Sequence, residues 1–364
     1  MELMVKRKTI FLVIAFLILL FFSGFRYDVG VDWESYYNYF GKDFWAMTER
    51  FHTKEMEPLN MLLKELLMSY GMDSGSYWIW SMAVITLFFT LSGVYFLSKD
   101  CKMSILLYIC MGFFFFTLNG IRQHCAIAIS FFSILFIQDR RLLPFLITTG
   151  IAIGFHYTAV LMLPLYFIAN RTFSKYLYLI LILCSIPLSF ILNSIISILA
   201  PLFGTYSVYA DSEYAMSNGN ILSYLKIIFP LFLFSIIYKH YDKLIANKKE
   251  RILLNMSTLS LIFSILFPGV LLGNRINYYF QLPLIVFIPL IASTLSIGYK
   301  RAFITLCVCY NIILCYVLLF SRQDVKIIPY NLNFDIIGIQ LFILTIFLVL
   351  FLFFSCFLFT KIFK

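Results

Sequence analysis

Long apolar runs recur along the whole chain, and the segments between them carry most of the charged residues. Several runs are long enough to cross about 30 Å of hydrocarbon at 1.5 Å per residue, and the alternating pattern of a membrane β-barrel does not occur. The runs cover residues 10–25, 76–97, 103–118, 121–137, 142–155, 156–168, 177–199, 221–238, 252–272, 277–297, 302–320 and 336–358. They predict an all-α integral membrane protein, a polytopic helical bundle of about twelve transmembrane helices in one domain.

Composition and charge agree with a membrane protein and indicate its orientation. Of the 364 residues, 62% are hydrophobic and 13% are charged, and the mean hydropathy is +0.92, which is beyond that of an ordinary soluble domain. With the amino terminus in the cytoplasm, the basic clusters between the runs fall on that side, as the positive-inside rule expects. The net charge of +10 is then a signal of topology and indicates no nucleic-acid partner. We expect both termini to be cytoplasmic, and the sequence indicates no cofactor and no metal site.

Segments on the outer side of the predicted membrane are large enough to carry chemistry, and they cover residues 26–75, 201–220 and 321–335. The first interleaves carboxylates with aromatic side chains and includes Asp28, Asp32, Trp33 and Tyr36. Aromatic rings stack on the apolar face of a sugar and carboxylates accept hydrogen bonds from its hydroxyls, so these residues are candidates for sugar binding. The alternative is an aromatic belt at the membrane interface with solvated acids.

The end of the first outer segment has the pattern of an amphipathic helix. Pro58 stands where the first helical residue is expected, and Asn60 and Lys64 lie opposite a row of leucines at helical spacing. The row consists of Leu59, Leu62, Leu63, Leu66 and Leu67. We expect this helix to lie flat on the outer surface of the membrane.

Cationic side chains follow breaks in the apolar pattern at the outer face. Asn119 and Gly120 precede Arg122, with Asn119 as a candidate helix cap, and the same arrangement is predicted where Gly273 and Asn274 precede Arg275. A third break places Gly154 just before His156. An arginine in the first turn of a helix adds to the positive end of the helix dipole, so an anion is expected opposite it.

This arrangement has more than one interpretation. A single arginine at this depth commonly extends to lipid headgroups or pairs with an acid on a neighbouring loop, and a single histidine is more often a hydrogen-bonded interior residue than a catalyst. Two arginines in the same setting favour a shared anion site, because a guanidinium group matches phosphate oxygens bidentately and helix amino termini bind phosphate.

Four stretches of the chain together resemble a known family. They are YDVGVDWESYY, EPLNMLLKELLMSYG, NGIRQHCAIAI and GIAIGFHYTAVLMLPLYFI, and they are similar to the EpsG-like branch of the Wzy-type polysaccharide polymerases, most strongly over residues 26–170. The resemblance implies an enzyme of the bacterial inner membrane that uses no nucleotide sugar and no metal. Such an enzyme joins oligosaccharide repeat units carried on undecaprenyl diphosphate at the periplasmic face, with a flippase upstream and a Wzz-type chain-length regulator beside it.

The candidate residues fit that chemistry. An acceptor hydroxyl would displace a lipid diphosphate from the anomeric carbon of the donor, and Arg122 and Arg275 would stabilise the charge that develops on the leaving group. His156 is the first candidate for the base, and Asp32 and Glu57 are second. The residues expected to bind substrate are Arg122, Arg275, Gln123, Asp28, Trp33 and Tyr36.

Two alternative functions remain open at this stage. A flippase for lipid-linked oligosaccharides would also be polytopic, but it should carry charged residues through the middle of the bilayer, where these runs are nearly free of charge. An O-antigen ligase would use the same diphosphate chemistry, and only the family resemblance favours a polymerase over it.

Overall fold

The computed structural model describes residues 2–40, 56–199, 221–267, 271–321, 326–334, 339–343 and 345–346. In this part of the chain the structure is helical. The α-helices are α1 (Glu2–Gly24), α2 (Trp33–Phe40), α3 (Pro58–Ser69), α4 (Gly75–Leu97), α5 (Cys101–Cys110), α6 (Phe113–Phe116), α7 (Ile121–Gln138), α8 (Leu142–Phe155), α9 (Leu165–Ile168), α10 (Lys175–Leu199), α11 (Ile221–Lys239), α12 (Tyr241–Ala246), α13 (Lys248–Leu266), α14 (Leu271–Gln281), α15 (Leu284–Thr294) and α16 (Ile297–Ser321). A 3₁₀ helix, Tyr157–Met162, follows α8.

The described helices make the chain a multi-pass membrane protein, although twelve passes are not confirmed. Four helices are long and apolar enough to span a membrane, and α14 with α15 counts as a fifth span if the bent pair crosses as one. The four long spans are Lys6–Gly24, Gly75–Leu97, Ile121–Gln138 and Ile297–Val317. Five shorter apolar helices accompany them, and most of the predicted run 336–358 lies outside the described residues.

Two predicted runs are interrupted, each at a residue that disfavours a continuous helix. The run 103–118 divides into α5 and α6 at Gly112, whose φ of 81° is in the left-handed region that glycine adopts without strain. The run 277–297 bends by 46° between α14 and α15, where Pro283 cannot donate a backbone hydrogen bond to continue the helix. The apolar pattern alone did not show either interruption.

The predicted break at Gly273 and Asn274 is wrong. Both residues lie inside α14, and the chain leaves helical geometry earlier, after α13 ends at Leu266. A Cβ atom on Gly273 would lie 2.2 Å from the Cβ atom of Phe267. The glycine therefore permits a close approach between α14 and the end of the preceding helix and does not end a helix.

The central packing unit is formed by α1, α4, α7 and α8, which contact one another in that order. Close contacts at small residues hold it together: a Cβ atom on Gly93 would lie 2.5 Å from the Phe131 ring, and one on Gly24 would lie 2.2 Å from the Trp80 ring. The outer ends of α4 and α7 are thereby fixed relative to the first outer segment, which carries the candidate site.

The first and third outer segments pair with each other just beyond α1. Arg26 and Leu332 form an isolated antiparallel bridge. Backbone hydrogen bonds run from Tyr27 N to Asn331 O at 3.0 Å and from Gly30 N to Lys326 O at 2.7 Å. The outer end of the first helix is therefore covered by chain from the far end of the sequence.

Helix α3 is confirmed, and its two faces are as different as its sequence predicts. Asn60 is fully buried and Lys64 is 9% exposed, whereas Leu62 and Leu66 are 57% and 51% exposed. The polar residues pack on the protein together with Leu59, Leu63 and Leu67, which are partly buried against the core, and Leu62 and Leu66 point away from it. This polarity fits a helix whose exposed leucines contact lipid, while its orientation relative to the membrane stays a prediction.

Candidate functional site

Arg122 lies in the first turn of α7, as predicted, but Asn119 does not cap that helix. The capping position is Gly120, which has no side chain to offer. The Oδ1 atom of Asn119 instead accepts a hydrogen bond from the backbone N–H of Val31 at 2.7 Å. Asn119 therefore joins the first outer segment to the start of α7, close to Arg122.

The guanidinium group of Arg122 is held by two side chains of the first outer segment. Its Nε atom donates to the hydroxyl of Tyr36 at 3.2 Å, and its Nη1 atom forms an ion pair with Oε2 of Glu57. Pairing with a loop carboxylate was one of the alternatives for this arginine. The Arg122 side chain is 25% exposed, so an anion can still reach it.

Glu57 is the carboxylate at the centre of the cluster. It caps the amino end of α3 immediately before Pro58, and its side chain is only 5% exposed. Its Oε1 atom lies 3.0 Å from Nδ1 of His156, and its Oε2 atom accepts a long hydrogen bond from Asn60 at 3.3 Å. Burial raises the pKa of the Glu57 carboxyl, but His156 and Arg122 together lower it below its ordinary value. Glu57 is therefore held as the anion between a cation and an imidazole.

His156 occupies the predicted break between two helices. It ends α8 and begins the 3₁₀ helix with extended backbone geometry, at φ −158° and ψ 120°. The Nδ2 atom of Asn60 donates to the carbonyl of the preceding residue, Phe155, at 2.9 Å. That bond fixes α3 against the end of α8. The Nδ1 atom of the imidazole faces Glu57, so the Nε2 atom lies on the other side of the ring.

Arg275 lies near this cluster. It was predicted to open a helix, but it lies inside α14. The side chain of Gln123 donates to the backbone carbonyl of Arg275 at 3.0 Å, which places α14 beside the first turn of α7. None of the ion pairs among the described residues involves Arg275.

Asp32 carries a carboxyl group whose pKa is influenced by both Arg122 and Arg275. Burial raises the pKa of its carboxyl above the ordinary value, and Arg275, Arg122 and Arg26 each act in the opposite direction. Asp32 thus lies within the field of three guanidinium groups. The structure brings Asp32, Glu57, Arg122, His156 and Arg275 into one region.

Two predicted sugar-binding residues have other partners. Asp28 forms an ion pair with Lys326, in which both side chains are at least 40% exposed. Trp33 is 6% exposed and stacks on Tyr37 with ring centres 4.7 Å apart. Its indole packs the first outer segment and presents no open face. Tyr36 differs, because its ring stacks on Trp78 while its hydroxyl holds Arg122.

Two residues of this region, Asn60 and Arg26, are not predicted by the sequence patterns. Asn60 was assigned to the polar face of a surface helix, yet it is fully buried and contacts both Glu57 and the end of α8. Arg26 was not considered, because it directly follows an apolar run and has the position of an ordinary flanking cation. It is 5% exposed, and its Nε and Nη1 atoms have no hydrogen-bond partner among the described residues.

The chemistry available in this cluster is that of a fixed cation, a carboxylate and a histidine. Within the described ranges, no group of three or more His, Cys, Asp or Glu side chains could hold a metal ion. The ion pair positions the Arg122 guanidinium for an anionic ligand. The carboxylate beside Nδ1 favours the tautomer whose Nε2 atom can accept a proton.

Comparisons with known proteins place the chain in a family. No curated protein and no solved structure matches the chain. The EpsG family matches residues 9–332, which is most of the sequence and includes every residue of the cluster described above. The chain therefore belongs to the EpsG family, which is associated with polysaccharide biosynthesis.

Proposed function

We propose that this protein is a glycosyltransferase that polymerises oligosaccharide repeat units carried on undecaprenyl diphosphate. The reaction takes place at the periplasmic face of the bacterial cytoplasmic membrane, and a Wzz-type regulator sets the chain length. The observation that carries the proposal is the contact of Glu57 with both Arg122 and His156. This contact places a cation that can bind a diphosphate next to a base that can deprotonate a hydroxyl. The chain also belongs to a family associated with polysaccharide biosynthesis.

Arg122 and Arg275 bind the diphosphate of the donor. Tyr36 and Glu57 hold the Arg122 guanidinium through its Nε and Nη1 atoms, so its orientation is fixed before the substrate arrives. Preorganised charge of this kind stabilises a leaving group without reorganisation during the reaction. Gln123 links the two arginines, because its side chain bonds the backbone of Arg275.

His156 accepts the proton of the attacking hydroxyl at Nε2. The hydroxyl oxygen forms a bond to the anomeric carbon of the donor while the bond from that carbon to the diphosphate oxygen breaks and leaves its electron pair on the lipid diphosphate. The carboxylate of Glu57, 3.0 Å from Nδ1, stabilises the imidazolium that forms. A single displacement by the acceptor inverts the anomeric centre.

A ligase that transfers finished polymer would break the same sugar–diphosphate bond, so the experiment must read the product. In a strain whose polymer is attached to lipid A core, loss of a polymerase leaves a single repeat unit on the core, and loss of a ligase leaves none. Electrophoresis of surface polysaccharide from a deletion strain should show the single-unit band, and the wild-type gene should restore the ladder. A bare core in the deletion strain would refute the polymerase assignment.

The site assignment is tested in the same strain with a matched pair of histidine variants. His156→Gln should give the single-unit band, whereas His240→Gln, which changes a histidine that follows α11, should give a normal ladder. Both proteins should be present in the membrane at wild-type level. A normal ladder from His156→Gln would exclude His156 as the base.

A further inference from the structure

Arg26 is a buried charged side chain near the site, and part of its hydrogen-bonding capacity is unused. It is 5% exposed, and its Nε and Nη1 atoms have no hydrogen-bond partner among the described residues. A buried cation with unpaired donors costs free energy, and a bound water, ion or ligand is one explanation for such a group. Burial lowers the pKa of Arg26 to about 10 against the opposing effects of Tyr330 and Asp32, so the side chain is still a cation at neutral pH.

A small cavity adjoins this side chain. It lies between α1, α4 and the start of α7, has a volume of about 10 Å³, and is lined in part by Ser23, Thr86 and Thr117. That volume suits one water molecule or one oxygen atom of a larger group. The Thr117 hydroxyl already donates to the carbonyl of Phe114 at 2.6 Å, so the guanidinium group supplies the charged donors at this wall.

The position of Arg26 connects it to the site described above. It lies two residues beyond the end of α1, and its backbone pairs with Leu332 of the third outer segment. Asp32, the carboxylate influenced by Arg122 and Arg275, is also influenced by Arg26. All three arginines therefore lie within electrostatic range of one carboxyl group, that of Asp32.

We propose that Arg26 is a third cation of the site and that its buried guanidinium group binds a phosphate oxygen of the lipid-linked diphosphate substrate. The inference rests on the proposed function and adds a binding residue to it. A phosphate oxygen supplies the acceptor that the two unpaired N–H groups lack, and a charged hydrogen bond of this type is among the stronger ones in proteins.

The charges of the region agree with a diphosphate ligand. Three arginines and the carboxylates of Asp32 and Glu57 leave one net positive charge. A diphosphate that links a lipid to a sugar carries two negative charges, so the excess positive charge of the region attracts it.

The test is Arg26→Met, which keeps the length of the side chain and removes its charge and its donors. If Arg26 only fills space, methionine should fold and bind like the wild type. If Arg26 binds phosphate, the variant should melt at the wild-type temperature or above, because the unpaired charge is gone. It should bind undecaprenyl diphosphate about 10-fold to 100-fold more weakly, the loss expected for a charged hydrogen bond.

Arg251→Met is the matched control. Arg251 is a partly buried arginine whose donors are satisfied by Asn170 and the carbonyl of Ile245. Its replacement should lower the melting temperature and leave the affinity for undecaprenyl diphosphate unchanged. The opposite responses of the two variants separate a ligand-binding arginine from a structural one.

Outcomes against the inference are specific. If the purified wild type does not bind undecaprenyl diphosphate, the proposed function and this inference both fail. If the wild type and Arg26→Met bind it equally, only the inference fails. Should the methionine variant not fold, amide hydrogen exchange of the wild type decides: exchange at residues 24–31 should slow when undecaprenyl diphosphate is added, and unchanged exchange overturns the inference.

Discussion

Replacing Glu57 by alanine removes a carboxylate that contacts both Arg122 and His156. The side chain is 5% exposed, and its removal would take this acceptor away from the Nη1 atom of Arg122 and the Nδ2 atom of Asn60. Losing the charged hydrogen bond from Arg122 costs about 1.5–3 kcal/mol, and losing the bond from Asn60, which is long at 3.3 Å, costs about 0.5–1.5 kcal/mol. The expected destabilisation of about 2–4.5 kcal/mol agrees with the roughly 3–5 kcal/mol that breaking one side of a buried ion pair costs.

Thermal unfolding of the purified protein measures this effect. A loss of this size should lower the melting temperature by on the order of 5–10 °C. Glu250→Ala is the matched control, because Glu250 pairs with Lys99, whose side chain is 47% exposed and can be solvated once its partner is removed. That change should cost about 0–1 kcal/mol.

A double-mutant cycle tests whether the stability comes from the ion pair itself. Glu57→Gln and Arg122→Gln should each destabilise the protein, and the double variant should lose less than the sum of the two. Residues in direct contact show coupling energies of about 0.5–3 kcal/mol. Coupling below that range, or a wild-type melting temperature for Glu57→Ala, would refute the reasoning that Glu57 holds the site together.

Three further predictions address charge geometry, pH and packing. Arg122→Lys should give nearly as little polymer as Arg122→Ala on surface-polysaccharide gels, because an ammonium group keeps the charge and loses the bidentate geometry; a normal ladder from lysine would leave only a general electrostatic role. Acid should destabilise the protein through Glu57: its folded-state pKa is lowered from 4.5, so its contribution is complete above that pH and is lost as the pH falls through the folded-state pKa. Melting temperatures measured from pH 7 to pH 3 should show this loss, which Glu57→Gln should lack. Gly75→Ala should reduce the level of folded protein in the membrane, because the new Cβ atom would lie 2.0 Å from the carbonyl oxygen of Tyr37, whereas Gly150→Ala meets nothing within 4 Å and should accumulate normally.

Much of the helical structure could be predicted because the membrane enforces simple rules on the sequence. The helix that starts just before Arg122 and the one that ends at His156 were both predicted from polar breaks in apolar runs. The rule that a glycine in an apolar run marks a helix end was wrong at Gly273, because a glycine there can also permit close packing, here against Phe267. The apolar pattern does not distinguish a glycine that ends a helix from one that lets two helices approach.

The candidate site was predicted as a set of residues but not as a set of contacts. Glu57 and Arg122 are 65 positions apart, and no local pattern links a carboxylate just before one helix to an arginine on another helix. Asn60 was misjudged because its neighbours on the helix are leucines, and the face that contacts the protein proved to be the polar one. Arg26 was passed over because position relative to a span does not reveal whether a cation is solvated or buried.

Helix α3 should make the geometry of the candidate site depend on the lipid or detergent that surrounds the protein. Glu57 lies immediately before the first residue of the helix, and Leu62 and Leu66 are exposed on the face opposite the buried Asn60. If hydrocarbon covers these leucines as predicted, it should keep the helix packed on α8 through Asn60, and a loose detergent shell should remove that support. A slight tilt of the helix would carry the carboxylate away from both Arg122 and His156 at once. Turnover should therefore rise when the detergent-purified enzyme is returned to lipid nanodiscs, with little change in its helix content.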